Sequence, residues 1–220
     1  MKNSIFIVIA LITLIFTVTT LFGLASAEGI VRVKEGDWIE YQVTETGNPT
    51  SDFNITWARM DINGVQGETI YIDVITAYAN GTIYPEKGIT LNLASGAIGD
   101  GFFIPTNLNP GDKYNSEYEG NITITGVEKL EAEGAERIVL SGVADQTTYY
   151  WDKQTGIMVA ATSNLTGFMI STKTSATNIW QPQILGLDST LFYTIIIAVV
   201  IILLAAIAVS TRRLKLHRKK

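Results

Sequence analysis

The sequence predicts an all-β fold: an antiparallel meander forming a sandwich or a curled half-barrel, followed by one C-terminal transmembrane helix. Three observations predict it. The middle of the chain runs in short alternating stretches of β-branched and aromatic residues, with no apolar period of 3.6 residues. Gly, Asn and Asp separate these stretches, and no gap suits a regular helical crossover. Leu191 to Val209 is a run of 19 uncharged residues. At about 1.5 Å per residue it extends about 28 Å, close to the hydrocarbon thickness of a bilayer.

Residues 1–27 read as a secretory signal. Lys2 supplies the positive start and Ile5 to Leu24 the apolar run. The small residues Ala25 and Ala27 suit the pockets of a signal peptidase, with the cut between Ala27 and Glu28. The run is about 20 residues, longer than the usual hydrophobic region of roughly 7 to 15 and long enough to stay on as an anchor. Cleaved or not, the signal places the residues after Glu28 outside.

Residues 28–180 form the expected extracellular β domain. Strands are expected at Asp37 to Val43, Phe53 to Trp57, Glu68 to Tyr78, Thr82 to Leu93 and Asn121 to Val127. They continue at Glu136 to Val143, Thr147 to Trp151, Ile157 to Thr162 and Phe168 to Thr177. The Asn63-Gly64 and Asn80-Gly81 pairs predict two-residue hairpin turns, and Asp152 to Gly156 a longer one with Gly156 in the left-handed region. Residues 181–190, with Pro182 and Gly186, read as a short stalk. The helix follows over 191–209, with Phe192 and Tyr193 placed for an outer aromatic belt. The tail, 210–220, holds six Lys or Arg and by the positive-inside bias is cytoplasmic. The localisation read from this order is a single-pass cell-membrane protein with its ectodomain outside.

Removing the ends changes the charge. Of the 16 Lys and Arg, Lys2 and the six in the tail are set aside, leaving 9 against all 21 Asp and Glu, a net of −12 for residues 28–190. Such a field repels nucleic acid, so none is expected as a partner. The partners expected are the lipid bilayer, through residues 191–209, and an envelope or membrane protein. The chain has no cysteine, which excludes a disulfide framework and a Cys-ligated metal.

Catalysis has little to draw on. The one histidine, His217, lies in the tail, so a His-based triad, a His-ligated zinc or an imidazole base has no place in the ectodomain. No catalytic residue, metal or cofactor is assigned. The carboxylate pairs Asp37 with Glu40 and Glu117 with Glu119 are the candidates for the alternative reading, a surface carbohydrate-active enzyme. Alternation puts the first pair on opposite faces. Asp100 and the acidic Glu128, Glu131, Glu133 and Glu136 show no spaced Ca²⁺ loop. Four Asn-x-Thr sequons, at Asn54, Asn80, Asn121 and Asn164, are expected to face solvent as glycosylation sites.

The aromatic distribution says more. Tyr149, Tyr150 and Trp151 are consecutive, and consecutive residues on a strand point to both faces, so a second apolar surface is required. Phe102 and Phe103 can supply a covering loop, or all five residues can line a groove for an apolar ligand.

The run Tyr149-Tyr150-Trp151-Asp152-Lys153-Gln154-Thr155-Gly156, followed by Ile157 and Val159, resembles a hairpin of curled β-sheet envelope proteins of the lipoprotein-carrier type. That likeness covers some 15 residues and implies a concave apolar face. Glu35-Gly36-Asp37-Trp38-Ile39-Glu40-Tyr41 and Asn109-Pro110-Gly111-Asp112 resemble small archaeal surface proteins with a signal peptide, a β ectodomain and a single C-terminal anchor. Together these readings lead to a non-enzymatic, membrane-anchored surface protein, serving in envelope structure or in binding an apolar ligand or a protein. An accessory subunit of a membrane complex is the third reading.

Overall fold

The computed structural model describes residues 31–47, 55–93, 101–116 and 120–217. The signal segment 1–27, Asn54, Asp100, Glu117 and Glu119 lie outside these residues. One ten-stranded antiparallel sheet dominates, built from β1 (Trp38–Gly47), β2 (Ile55–Gln66), β3 (Thr69–Tyr78), β4 (Ile83–Asn92), β5 (Lys113–Ser116), β6 (Gly120–Ala132), β7 (Ala135–Ala144), β8 (Thr147–Asp152), β9 (Met158–Leu165) and β10 (Phe168–Thr177). The order across the sheet is β4-β3-β2-β1-β10-β9-β8-β7-β6-β5. Two meanders are therefore joined where the first strand pairs with the last.

The sheet is curled, and the core proves it. Laid flat at about 4.8 Å per strand, the two edges would stand about 43 Å apart. Yet the sheet's inward side chains are buried from Leu91 on β4 to Ile122 on β6, with no second large sheet among the described residues to cover them. One sheet wrapped on itself, its outermost strands β4 and β5 each paired on one side only among the described residues, is a half-barrel rather than a sandwich. Register shifts in β1–β10, β2–β3, β3–β4, β6–β7 and β8–β9 supply the bends.

Alternation sorts the faces as anticipated along β1, where Ile39 and Tyr41 are buried and Trp38 and Glu40 are half-buried. The Asn80-Gly81 turn is present, with Tyr78 N donating to Thr82 O at 2.9 Å. Asn63-Gly64 is not a turn. β2 runs through it to Gln66, the register shifts between Ile62 and Gly64, and the reversal comes at Gly67 and Glu68. An Asn-Gly pair that bends a strand as a bulge carries the same local signature as one that ends it.

The last β residues lead into the helix. A small hairpin, β11 (Gln183–Ile184) with β12 (Leu187–Asp188), occupies the stretch read as a stalk and runs directly into α1 (Ser189–His217). Gln183 N donates to Gly134 O at 2.8 Å and Ser189 N to Pro182 O at 2.9 Å. The hairpin thus sits on the β6–β7 turn. Within α1, Ser189–Ile207 is long and apolar enough to cross a membrane, with none of it buried against the protein.

Candidate functional site

The aromatic run is placed first. Tyr149 and Trp151 both face the core, their rings stacked at 5.1 Å and 17°, while Tyr150 is half-buried on the other face. Gly142 on β7 makes room for the indole, since a Cβ there would stand 2.8 Å from the Trp151 ring. The covering surface is the protein's own loop. Trp151 Nε1 donates to Gly101 O at 2.6 Å, Met158 N to Phe102 O at 2.8 Å and Ile104 N to Gly156 O at 2.9 Å. Phe103 pairs with Ile157 and is buried, and the half-buried Phe102 lies 5.5 Å from the Tyr41 ring. Tyr41 Oη in turn donates to Met158 O at 2.9 Å, and burial pushes its pKa well above the ordinary phenol value. Of the five residues considered for a groove, Tyr149, Trp151 and Phe103 are occupied with one another and with this loop.

The turn after Trp151 is organised by a buried carboxylate. Asp152 accepts from Thr155 N at 2.9 Å, from Thr155 Oγ1 at 2.7 Å and from Arg137 Nε at 2.9 Å. Gly156 takes φ 76°, and a Cβ there would meet Ile104 O at 2.1 Å. No other residue fits. Arg137 also donates to Gln154 Oε1 at 3.1 Å and lies 5.0 Å over the Trp180 ring, whose Nε1 donates to Ala132 O at 3.2 Å.

Around Arg137 open two adjoining clefts of about 560 and 480 Å³ that share Arg32, Arg137 and Gln154. The larger is walled by the segment entering β1 and the segment leaving β10, including Lys34, Asp37, Trp180 and Asp188. The smaller adds Glu136, Asp152 and Lys153. Asp188 immediately precedes α1, so both clefts lie at the end of the sheet that carries the helix. No protein-family model and no curated protein matches this chain.

A second arginine shows what a closed structural cluster looks like. Arg59 donates from Nε and Nη2 to Asp61 and from Nη1 to Glu40 at 2.8 Å, and its plane lies 4.3 Å over Trp38. Bonds to Asp61 foremost hold its pKa above the ordinary value. Trp57 Nε1 adds a 3.3 Å bond to Glu40. The carboxylate pair Asp37 with Glu40 is not brought together: Asp37 is engaged by Lys34 N and Nζ, and Glu40 by Arg59. Glu136 pairs with Lys129 at 2.7 Å. Asn80, Asn121 and Asn164 are all exposed.

Sequence reading picked out the Tyr-Tyr-Trp run and the Asp152 turn but not Arg32, Arg137 or their meeting with Trp180. Those residues are 32, 137 and 180 in the chain: the β1–β10 pairing brings the segments of the first and last together, and the bonds of Trp180 to Ala132 O and Gln183 to Gly134 O bring that end of the chain to Arg137.

Proposed function

We propose that this chain is a non-enzymatic, single-pass membrane protein that holds an acidic β domain on the outer face of the cell membrane. Its role is binding, at the clefts around Arg137, of a component of the same membrane. One observation carries this reading: the clefts and the helix share one end of the domain, and the hairpin between them is held by Gln183 to Gly134 rather than left as a free linker. The basic tail and the acidic charge of residues 28–190 agree with it.

The absence of cysteine gives a clean test. Lys87→Cys, in the exposed part of β4, is expected to react with a membrane-impermeant maleimide on intact cells. Leu216→Cys, in the tail, is expected to react only after permeabilisation. The opposite pattern overturns the topology.

Glycosylation belongs to the same proposal. Asn80 is exposed at a turn, its Oδ1 accepting from Thr82 N at 2.9 Å. Asn80→Gln is expected to lower the mass of the protein purified from its native cell by one glycan. An unchanged difference between observed and sequence mass overturns modification at that sequon.

A further inference from the structure

We propose that the clefts around Arg137 receive the phosphate-bearing headgroup of a lipid from the bilayer that α1 spans, with Leu185 lodged beside it at the acyl boundary. The proposal rests on the topology given under the proposed function and names the ligand class for that same site.

Arg137 is the built part of the site. Its side chain is 11% exposed, fixed by Asp152 on one edge, by Gln154, and by Trp180 across its plane. These bonds use Nε and Nη2 and leave Nη1 without a partner among the described residues, unlike Arg59, all three of whose nitrogens have partners. A rigid guanidinium with free N–H groups facing a cleft suits a phosphate oxygen.

The surrounding charges favour an anion. Three of the four carboxylates lining the clefts are ion-paired: Asp37 with Lys34, Asp152 with Arg137 and Glu136 with Lys129. Among the described residues Asp188 has no ion pair, and neither do the exposed Arg32 and the half-buried Lys153. The unpaired charges at the clefts are therefore two cations against one anion, within a domain whose net charge is −12 (9 Lys and Arg against 21 Asp and Glu). Asp188 is the residue before the helix, so a headgroup reaches this wall without leaving its leaflet.

Leu185 points to the same partner independently. It is the tip of the β11–β12 hairpin, 89% exposed, with φ 53°. A leucine in the left-handed region is strained, and this one buries nothing within the protein to offset the strain. It lies four residues from Ser189, at most about 14 Å along the chain. The bilayer interface is therefore within its reach. An apolar side chain at that depth enters the boundary between headgroups and acyl chains.

The test uses the full chain in lipid nanodiscs and in detergent. Native mass spectrometry is expected to show anionic phospholipid retained in preference to zwitterionic phospholipid. Arg32→Glu combined with Lys153→Glu, neither residue being fully buried, is expected to reduce that retention about tenfold or more. A nitroxide on Leu185→Cys is expected to relax more with oxygen than with a water-soluble nickel complex. Equal retention by the variant, or a nitroxide that relaxes mainly with the nickel complex, overturns the proposal. So does displacement of the lipid by millimolar inorganic phosphate, which would assign the clefts to a soluble anion. These readouts are made on reconstituted protein and do not depend on which side of the cell the domain occupies. Their failure is thus distinct from a reversed maleimide pattern.

Discussion

Trp151→Ala is expected to lower the unfolding free energy of the β domain by about 3 to 5 kcal/mol, a large share of the roughly 5 to 15 kcal/mol that a domain possesses. The indole is fully buried, stacks on Tyr149, and is the donor that holds Gly101 O. Its removal opens a cavity against Gly142 and frees an anchor of the 101–105 loop at the same time. Tyr150→Ala, on the opposite and half-buried face, is expected to cost about 1 kcal/mol. Urea unfolding of the full chain in detergent, followed by far-ultraviolet circular dichroism, compares the two. Equal losses would show that the run does not divide between the faces as described.

Asp152→Ala is expected to be as damaging, at about 3 to 5 kcal/mol, for an electrostatic reason. The carboxylate is 1% exposed and Arg137 opposite it 11%. Truncation leaves the guanidinium desolvated without its counter-charge, takes the acceptor from Thr155 Oγ1, and leaves Thr155 N only its 3.3 Å bond to Asp152 O. Asp152→Asn keeps one side-chain oxygen for the Thr155 donors while it removes the charge and turns its amide NH2, a donor, toward Arg137 Nε, so a smaller loss of about 1 to 3 kcal/mol is expected. The same urea titration reads both variants. An asparagine variant no more stable than the alanine variant would place the whole effect in the ion pair with Arg137. Two alike wild-type-like curves would show that Asp152 does not organise the turn.

Most of the fold was legible because its signals are local. The expected bounds of the strand from Phe168 to Thr177 match β10 residue for residue, since alternation and flanking turns are written within ten residues. Lys113–Ser116 escaped notice because four residues are too few to show a period, although Tyr114 and Ser116 do point inward. The β11–β12 hairpin has strands of two residues and exists through its bond to Gly134. No local pattern announces that. Asn63-Gly64 misled for the reverse reason: its local preference is real, and pairing with β3 overrode it.

The site was less legible. The requirement for a surface over Tyr149 and Trp151 followed from strand geometry, and Phe103 meets it. Arg137 carried no such mark. An arginine on a strand reads as solvated surface until the chain leaving β10 brings Trp180 across it, and that contact depends on the topology of the whole sheet.

The seam between β1 and β10 also governs how the chain is made. Trp38 N donates to Asn178 Oδ1 across 140 residues, so the middle of the sheet has no partner until nearly the whole domain has been synthesised. Contacts of such separation form slowly. Until then the first four strands wait with an open edge at β1, exposed to wrong pairing. Zipping the seam becomes possible only when synthesis has come within eleven residues of the apolar helix that starts at Ser189. Under the topology proposed above, completion of the fold and arrest of translocation fall within moments of each other, which leaves little time in which a half-built sheet is both free and unfinished.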